Sequence, residues 1–241
     1  MKVILFILIV LIVLLGLGFY LLSKKSKIPN VIYCFWTGDN PMSENRQNCL
    51  KKIKEITGFT VILVTKHNLP SYILPKAPLH KSFQYLSETH KSDYLRTYFM
   101  HFYGGGYSDI KIPKDSWISS FKEINNNSDI WICGYQEYES GVAYVPVSKE
   151  WKSLIGNCGY ICRPRTLLTK EWYEEMIHLL DSKYEELKLH PSTFPQDCKE
   201  SGTRYPIEWN EMLGRIFHKI SFKYKEHISR SLPSYDFSNY R

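Results

Sequence analysis

The sequence lacks several patterns that would assign it to common functional classes. It has no run of five or six like charges, no zinc-finger spacing and no arginine-rich segment, so nucleic acid is not an expected partner. No Gly-Lys-Ser/Thr follows its triple glycine, which argues against a phosphate-binding P-loop. His90 and His101 have no Ser or Cys nucleophile pattern beside them, so hydrolase chemistry is not supported. Internal repeats and low-complexity tracts are also missing.

Cysteine is sparse and scattered. The chain has six cysteines in 241 residues, and a chain of this length does not need disulfides to stabilise its core. We therefore expect free thiols. Cys158 and Cys162 lie four residues apart, but no second pair of Cys or His follows at ligand spacing, so a zinc site is not expected.

The amino-terminal segment is the longest uncharged stretch. Residues 3–22 carry no charge and, as a helix, would reach roughly 30 Å, enough to span a bilayer. The basic sequence Ser23-Lys24-Lys25-Ser26-Lys27 follows directly, whereas a cleaved signal peptide, the alternative, has a shorter apolar core. We therefore expect a single-pass membrane protein with an anchor and basic flank at residues 1–27 and one domain at residues 28–241. The side of the membrane stays open.

Apolar periodicity predicts the fold class. Residues 31–36 and 59–64 read as buried strands, and residues 44–57 between them carry a helical stripe that ends at Gly58. Strand, helix, strand with continuous apolar strands is typical of an α/β domain with a mostly parallel central sheet flanked by helices. Further strands are predicted at 107–112, 129–134 and 158–162, and further helices around Asp93, at 167–189 and at about 207–220.

The central segment from Asp93 to Lys111 carries the chemistry. On its predicted helix, Asp93 and Arg96 lie on the face opposite the packed aromatic side chains. Three glycines, 104–106, then allow a tight reversal and close ligand approach. Asp109 and Lys111 follow two apart on a predicted strand, so their side chains point the same way. An acid, a base and a carboxylate brought together in this way suit a nucleotide diphosphate.

Lys111 makes the mechanism ambiguous. Two carboxylates at positions 109 and 111 would hold a divalent ion, whereas Lys111 repels one by roughly 4 kcal/mol per unit charge at about 4 Å and an effective dielectric of about 20. Either Asp109 binds a metal with help from Glu208 or Glu211, or Lys111 itself stabilises the leaving group. A surface salt bridge between Asp109 and Lys111 is the structural alternative. The net charge of +7 suits a diphosphate, an anionic membrane surface or nucleic acid and does not choose among them.

Three segments in combination resemble the capsular polysaccharide synthesis and family-32-like glycosyltransferases, relatives of the yeast initiating mannosyltransferase and the large clostridial toxin glucosyltransferases. They are residues 28–38, the Ser92-Asp93-x-x-Arg96 helix and residues 103–109. The resemblance implies a GT-A-like fold, a nucleoside-diphosphate sugar donor, a glycan or glycoconjugate acceptor and often a divalent cation, Mn²⁺ or Mg²⁺.

By the same resemblance, the donor site includes the aromatic residues Trp36, which would stack on the base, and Tyr107. Asp93 and Arg96 would hold ribose and phosphates. Asp109 would be the first acid of an Asp-x-Asp motif and the metal ligand. Lys111 departs from that motif at its second acid, which puts metal dependence in doubt.

Later residues complete the predicted site. Asn157 and Gly159 match positions that line the acceptor side in such folds, although an ordinary turn explains them equally well. Gln196 and Asp197 are placed near the anomeric carbon by the resemblance, or they form a polar loop pair. Glu208 and Glu211 share a helical face and would act as a metal ligand or acceptor base, or would simply be first-turn acids favoured by the helix dipole.

The sequence therefore predicts a glycosyltransferase that moves a sugar from a nucleoside diphosphate to a glycan acceptor, with Asp109, Lys111, Glu208 and Glu211 as candidate catalytic residues. The alternative is a non-catalytic carbohydrate-binding or assembly subunit that retains the fold.

Overall fold

The computed structural model of the protein describes residues 27–238 and residue 240. The strands are β1 (Val31–Trp36), β2 (Thr60–Thr65), β3 (Gly105–Ser108), β4 (Ile112–Pro113), β5 (Ile132–Gln136), β6 (Ile155–Cys162), β7 (Ile228–Ser229) and β8 (Tyr235–Asp236). The helices are α1 (Glu44–Ile56), α2 (Glu88–Phe102), α3 (Ile118–Asn126), α4 (Leu167–Ser182), α5 (Tyr184–Leu189) and α6 (Ile216–Lys223). A π-helical turn, Glu211–Arg215, runs directly into α6.

The central sheet has six strands in the order β2-β1-β3-β6-β5-β7. Strand β1 pairs in parallel with both β2 and β3, β6 runs antiparallel to β3 and β5, and β7 is parallel to β5. Three of the five pairings are therefore parallel, which confirms the predicted α/β class with a mostly parallel sheet. Strands β4 and β8 form a separate two-stranded sheet.

Both faces of the sheet are covered by helices. Tyr33 and Phe35 of β1 belong to a core that includes residues of α2, α4 and α6. The alternate residues Ile32 and Cys34 pack on the other face, against residues of α3 and α1 respectively. Side chains alternate along a strand, so burial on both faces requires every residue of β1 to be apolar or aromatic. That requirement explains the continuous apolar run in the sequence.

The glycine run connects α2 to β3. Gly104 and Gly105 have φ values of +67° and +88°, in the left-handed region that glycine tolerates best. A Cβ at Gly105 would also stand 3.0 Å from the carbonyl oxygen of Val31. The predicted tight reversal is confirmed, and it brings β3 alongside β1.

The strand predicted at residues 107–112 is wrong in its second half. Strand β3 ends at Ser108, where the Asp109 amide donates to the carbonyl of Cys158 at 2.7 Å. The Lys111 amide then donates to the carbonyl of Asp109 at 2.8 Å, which closes a three-residue turn. Asp109 and Lys111 therefore meet across a turn and not as neighbours on one face of a strand.

Three other predictions need correction. The helix predicted at 167–189 is divided at Lys183 into α4 and α5, and the last helix begins later than predicted, with the π-helical turn. The strand predicted at 129–134 starts at Ile132. Helix α2 was predicted to present Asp93 and Arg96 outward, but both are buried, because α2 lies between the sheet and the layer formed by α4 and the π-helical turn.

The expected membrane localisation is also corrected. Within residues 27–238 and 240, no helix is long and apolar enough to cross a membrane. The longest of these helices, α4, has 16 residues and at 1.5 Å per residue falls short of the roughly 30 Å of a bilayer core. A single-pass amino-terminal anchor is therefore not supported, and the segment 3–22 that suggested it lies outside the described residues.

Candidate active site

A cleft of about 440 Å³ opens where β1 and β3 end. Its walls come from residues 35–38 at the carboxyl end of β1, from residues 107–110 at the carboxyl end of β3, and from α1 and α2. Strand β2 lies on one side of β1 and β3 on the other, so the chain changes direction across the sheet at this point. Such switch points, at the carboxyl ends of parallel strands, are where α/β sheets bind ligands.

Arg96 is the centre of a buried charge cluster at the base of this cleft. Its Nη2 lies 3.2 Å from Asp93 Oδ1 and 3.2 Å from Asp109 Oδ1, and its Nη1 donates to the carbonyl of Asn157 at 2.9 Å. The guanidinium also stands 4.3 Å from the centre of the Tyr107 ring. Arg96 therefore ties α2 to the ends of β3 and β6.

Asp109 has partners on both carboxylate oxygens. The Tyr107 hydroxyl donates to Oδ1 at 2.6 Å, and Lys111 Nζ donates to Oδ2 at 2.8 Å. Burial by itself would raise the pKa of Asp109, but Lys111 and Arg96 outweigh burial and hold the pKa well below its usual range. Asp109 is therefore a carboxylate whose negative charge is already neutralised by its neighbours.

Asp93 responds in the opposite direction. Its pKa is raised to about 7, because burial and, to a smaller extent, the nearby Asp109 raise it more than Arg96 lowers it. The pKa of Arg96 lies well above its ordinary value, because Tyr107, Asp109 and Asp93 outweigh the effect of burial. One arginine thus serves two carboxylates, and the more deeply buried carboxylate takes up a proton more readily.

Lys111 lies behind Asp109 and does not line the cleft. Its Nζ donates to Cys158 Sγ at 2.9 Å and lies 5.5 Å and 4.9 Å from the ring centres of Phe237 and Tyr240. Burial lowers the pKa of Lys111, but Asp109 raises it more, so that the pKa is above its ordinary value. Lys111 is thus a permanent cation beneath the carboxyl-terminal segment, which contains Phe237 and Tyr240.

The cleft collects most of the predicted donor residues. Trp36, Arg96, Tyr107 and Asp109 all line it. The Trp36 Nε1 donates to the carbonyl of Asn40 at 2.9 Å, which fixes the orientation of the indole ring. Asp93 is the exception, because it is buried beneath Arg96 and does not reach the cleft wall.

Of the predicted acceptor-side residues Gln196 and Asp197, only the first lines the cleft. Gln196 is exposed and lines the cleft. Asp197 is fully buried and accepts hydrogen bonds from Thr193 and Thr203, so it holds its own loop together and does not face the cleft. The two side chains therefore do not face the cleft together, the contacts of Asp197 suit the loop alternative, and an acceptor-side role for Gln196 stays a prediction.

Asn157 and Gly159 lie on β6 beside the charge cluster. The Asn157 carbonyl accepts from Arg96, while its side-chain Nδ2 lies 3.4 Å from His218 Nε2. A Cβ at Gly159 would overlap the hydroxyl of Tyr235, which lies 3.0 Å from Ser108 Oγ. Gly159 is buried and makes room for Tyr235, so it does not form an acceptor surface.

Glu208 and Glu211 belong to a different cluster. Glu208 pairs with Arg215 and, at 3.7 Å, with Lys199. Glu211 accepts from the Glu208 amide at 3.0 Å and lies 3.7 Å from Lys183. Neither glutamate lines the cleft, so their predicted catalytic role with Asp109 has no support in their contacts.

The side chains present do not fit a divalent cation. Both oxygens of Asp109 are engaged by donors, and Arg96 and Lys111 place two positive charges beside it. In the part of the chain that the structure describes, no group of three His, Cys, Asp or Glu residues is arranged to hold a metal. Glu208 and Glu211, the predicted additional ligands, are held by other cations.

Arg46 is a cleft residue that the sequence analysis missed. It lies on the first turn of α1, and its Nη1 donates to the carbonyl of Ile110 at 2.7 Å. Across the described residues it has no carboxylate partner within ion-pair distance, although its guanidinium lies 4.8 Å from the Tyr240 ring centre. Arg46 lies on the first turn of the helix that follows β1, and Trp36 is the last residue of β1. This closeness to the carboxyl end of β1 is the signal that could have identified Arg46.

Comparisons with known proteins add a family match. A sequence-family model described as capsular polysaccharide synthesis protein matches residues 20–155, just over half of the chain. Among solved structures, the chain is similar to the PaToxG glycosyltransferase at 13% identity and a TM-score of 0.45, over 81% of this chain and 68% of that one. No curated protein matched the chain. The family match spans β1 to β5 and every residue that lines the cleft except Pro195 and Gln196.

Proposed function

The chain belongs to the capsular polysaccharide synthesis protein family, and we propose that it is a glycosyltransferase that binds a nucleoside-diphosphate sugar in the cleft between β1 and β3 and transfers the sugar to a glycan acceptor. One observation carries this proposal. A flat aromatic side chain, Trp36, and two arginines, Arg46 and Arg96, line a single cleft at the switch point of the sheet.

The size of the cleft suits a nucleotide sugar. Its volume of about 440 Å³ falls in the range of roughly 300–1,000 Å³ typical of small-molecule sites. Trp36 offers a ring face for a base, and stacking of a base on an aromatic side chain contributes roughly 1–3 kcal/mol. The hydrogen bond from Trp36 to Asn40 supports this role because it orients the ring before the ligand arrives.

The charges of the cleft suit a diphosphate. Arginine guanidinium groups donate to phosphate oxygens, and α1 and α2 bring Arg46 and Arg96 to the wall of the cleft. A sugar attached to the second phosphate would extend toward Asp109, and Gln196 on the rim would contact the acceptor. The same positive charges would stabilise the departing diphosphate in the transfer step.

A non-catalytic carbohydrate-binding subunit is the second candidate. The observation in its favour is that Asp109 is neutralised by Arg96 and Lys111, which leaves it less available to assist a reaction. Both candidates predict nucleotide or sugar binding, but only the enzyme turns the donor over.

Release of nucleoside diphosphate separates the two. Purified protein would be incubated with uridine- and guanosine-diphosphate sugars, with and without a glycan acceptor, and the released diphosphate quantified. We expect release with at least one donor, and its loss in Asp109→Asn. Donor binding without release would support the non-catalytic subunit, and neither binding nor release with any donor would contradict the proposal.

Trp36→Ala tests the base-binding role. We expect the affinity for the bound diphosphate to fall by roughly fivefold to 150-fold, because a stacking contact of roughly 1–3 kcal/mol is lost. Trp209 is exposed and outside the cleft, so Trp209→Ala is the matched control and should bind as tightly as the unmodified protein. Isothermal titration calorimetry measures both, and equal losses in the two variants would show that the cleft is not the binding site.

A further inference from the structure

We infer that the diphosphate is held by Arg46 and Arg96 in a site that takes no divalent cation, with Lys111 neutralising Asp109 from behind. This inference rests on the proposed function and adds to it the means by which the phosphate charge is compensated. It also gives Arg46 a role that no sequence motif assigned.

The charge around Asp109 disfavours a dication. A carboxylate attracts a dication because it is negative and has free lone pairs. Here Arg96 and the Tyr107 hydroxyl occupy one oxygen, and Lys111 occupies the other at 2.8 Å. A dication would have to displace these donors and then remain close to two cations. Because the interaction scales with the product of the charges, each of these repulsions is twice as strong for a dication as for a monovalent ion.

Lys111 is held in place beside Asp109. Its ammonium group is enclosed by Cys158 Sγ and by the rings of Phe237 and Tyr240, and only 11% of the side chain is exposed. The contacts with the two rings favour a cation in this place. The positive charge is therefore built into the fold, at the position where a second acid would otherwise complete a metal site.

Arg46 and Arg96 have N–H donors that the described residues do not satisfy. Arg96 Nε is buried and has no hydrogen-bond partner, although Arg96 lines the cleft. A buried donor without a partner is costly, and an acceptor oxygen from a ligand would satisfy it. Arg46 uses Nη1 for the carbonyl of Ile110 and has no ion-pair partner among the described residues. Phosphate oxygens supply the acceptors that both groups need.

Two measurements on the unmodified protein test the inference. The first is titration with Mn²⁺ alone, followed by electron paramagnetic resonance, in which we expect the signal of the free ion to persist. The second is the affinity for uridine and guanosine diphosphate, measured by calorimetry in Mn²⁺ and in a chelator. We expect the dissociation constant to change by less than about twofold between the two buffers.

A charge reversal at position 111 should create a binding site for a divalent cation. In Lys111→Asp, a second acid lies two residues after Asp109, and we expect Mn²⁺ to bind at least about tenfold more tightly than to the unmodified protein. Lys114 is exposed and outside the cleft, so Lys114→Asp makes the same charge change without that effect. If Lys111→Asp does not fold, Lys111→Met removes the repulsion alone, and a smaller gain in Mn²⁺ binding is expected.

Arg46 is tested directly by Arg46→Gln. We expect the affinity for the diphosphate to fall by about tenfold to a hundredfold, in chelator and in Mn²⁺ alike, because hydrogen bonds to a charged ligand are lost. Arg204 is exposed and does not line the cleft, so Arg204→Gln should bind with unchanged affinity.

The results distinguish failure of this inference from failure of the proposed function. Diphosphate binding that requires Mn²⁺, or Mn²⁺ binding that Asp109→Asn abolishes, would overturn the metal-free site and leave donor binding intact. Unchanged affinity in Arg46→Gln would also overturn it. No binding of either diphosphate in any buffer would overturn the inference and the proposed donor site together.

Discussion

Two clusters of acidic and basic side chains in this protein differ mainly in burial. The first, which we call the inner cluster, consists of Asp93, Arg96, Asp109 and Lys111 beneath the cleft. The second, the outer cluster, joins Glu208 to Arg215 and Lys199, and its arginine side chain is 44% exposed against 8% for Arg96. Both clusters combine carboxylates with an arginine and a lysine.

The difference in burial sets what each cluster can do. Charges taken out of water must be compensated by partners, so every member of the inner cluster depends on the others. Charges that stay in water are screened and interact weakly. Asp93 and Asp109 of the inner cluster accordingly have strongly shifted pKa values, and such groups at or beneath a cleft are typical of functional sites. Equivalent substitutions in the two clusters should therefore change the free energy of unfolding by very different amounts.

The largest difference is expected when the arginine is removed. In Arg96→Met, the carboxylates of Asp93 and Asp109 lose their shared cation while they remain buried, and we expect the free energy of unfolding to fall by about 3–5 kcal/mol. Arg215→Met removes an exposed arginine and should leave stability nearly unchanged. Denaturant unfolding of both variants measures the difference. Equal losses would mean that burial does not distinguish the clusters.

The second largest effect is expected in how the free energy of unfolding depends on pH, to which buried Asp93 of the inner cluster contributes. The pKa of Asp93 is about 7 in the folded protein and 3.8 in the unfolded chain, so the folded state binds the extra proton and stability falls as the pH rises between these values. Buried His90 opposes this, because burial lowers its pKa from 6.5 to about 4 and stability rises over that range. Between pH 4.5 and 6.5 we expect the two slopes largely to cancel.

Asp93→Asn should unmask the slope of His90. We expect the free energy of unfolding of this variant to rise with pH from 4.5 to 6.5, by up to about 1.4 kcal/mol per pH unit for one proton. Glu208→Gln alters the outer cluster and should follow the unmodified protein over the same range. Parallel curves for Asp93→Asn and the unmodified protein would show that Asp93 is ionised in the fold at these pH values.

The smallest effect is expected for Glu211. Its carboxylate accepts from the Glu208 amide at 3.0 Å and lies 3.7 Å from Lys183, so Glu211→Gln should lower the free energy of unfolding by no more than about 1 kcal/mol. Thermal unfolding measures this change. A loss of donor turnover in Glu211→Gln would restore the catalytic role expected from the sequence.

Much of the fold could be predicted from local patterns. Strand β1 was predicted at its observed limits, and α1 and β2 within a residue of theirs, because apolar runs and helical stripes report burial directly. The turn after Ser108 was not predicted, since it depends on a hydrogen bond to the carbonyl of Cys158 on β6, which is adjacent to β3 in the sheet but far from it in the sequence. The division of the long helix at Lys183 also left no strong signal, because Lys183 is an ordinary helix former.

The candidate site was predicted less evenly. Trp36, Arg96, Tyr107, Asp109 and Gln196 meet in the cleft as a family resemblance suggested. Arg46 was missed because nothing in the pattern of its helix separates it from an ordinary surface arginine. Glu208 and Glu211 were included because two acids on one face of a helix can act at the same site. Their ion pairs with Arg215 and Lys183 show that they lie away from the cleft.

The sequence by itself determined the α/β class, the strand β1 and helix α1 that flank the cleft, and the presence of a lysine two residues after Asp109, where a second acid would hold a metal. Tertiary structure decided which charges are buried together. Burial depends on what α4, β6 and the carboxyl-terminal segment place over α2 and β3, and these contacts join residues far apart in the chain. Because the energy of a charge depends on its surroundings more than on its identity, Asp93 and Asp109 have opposite pKa shifts that no local pattern contains.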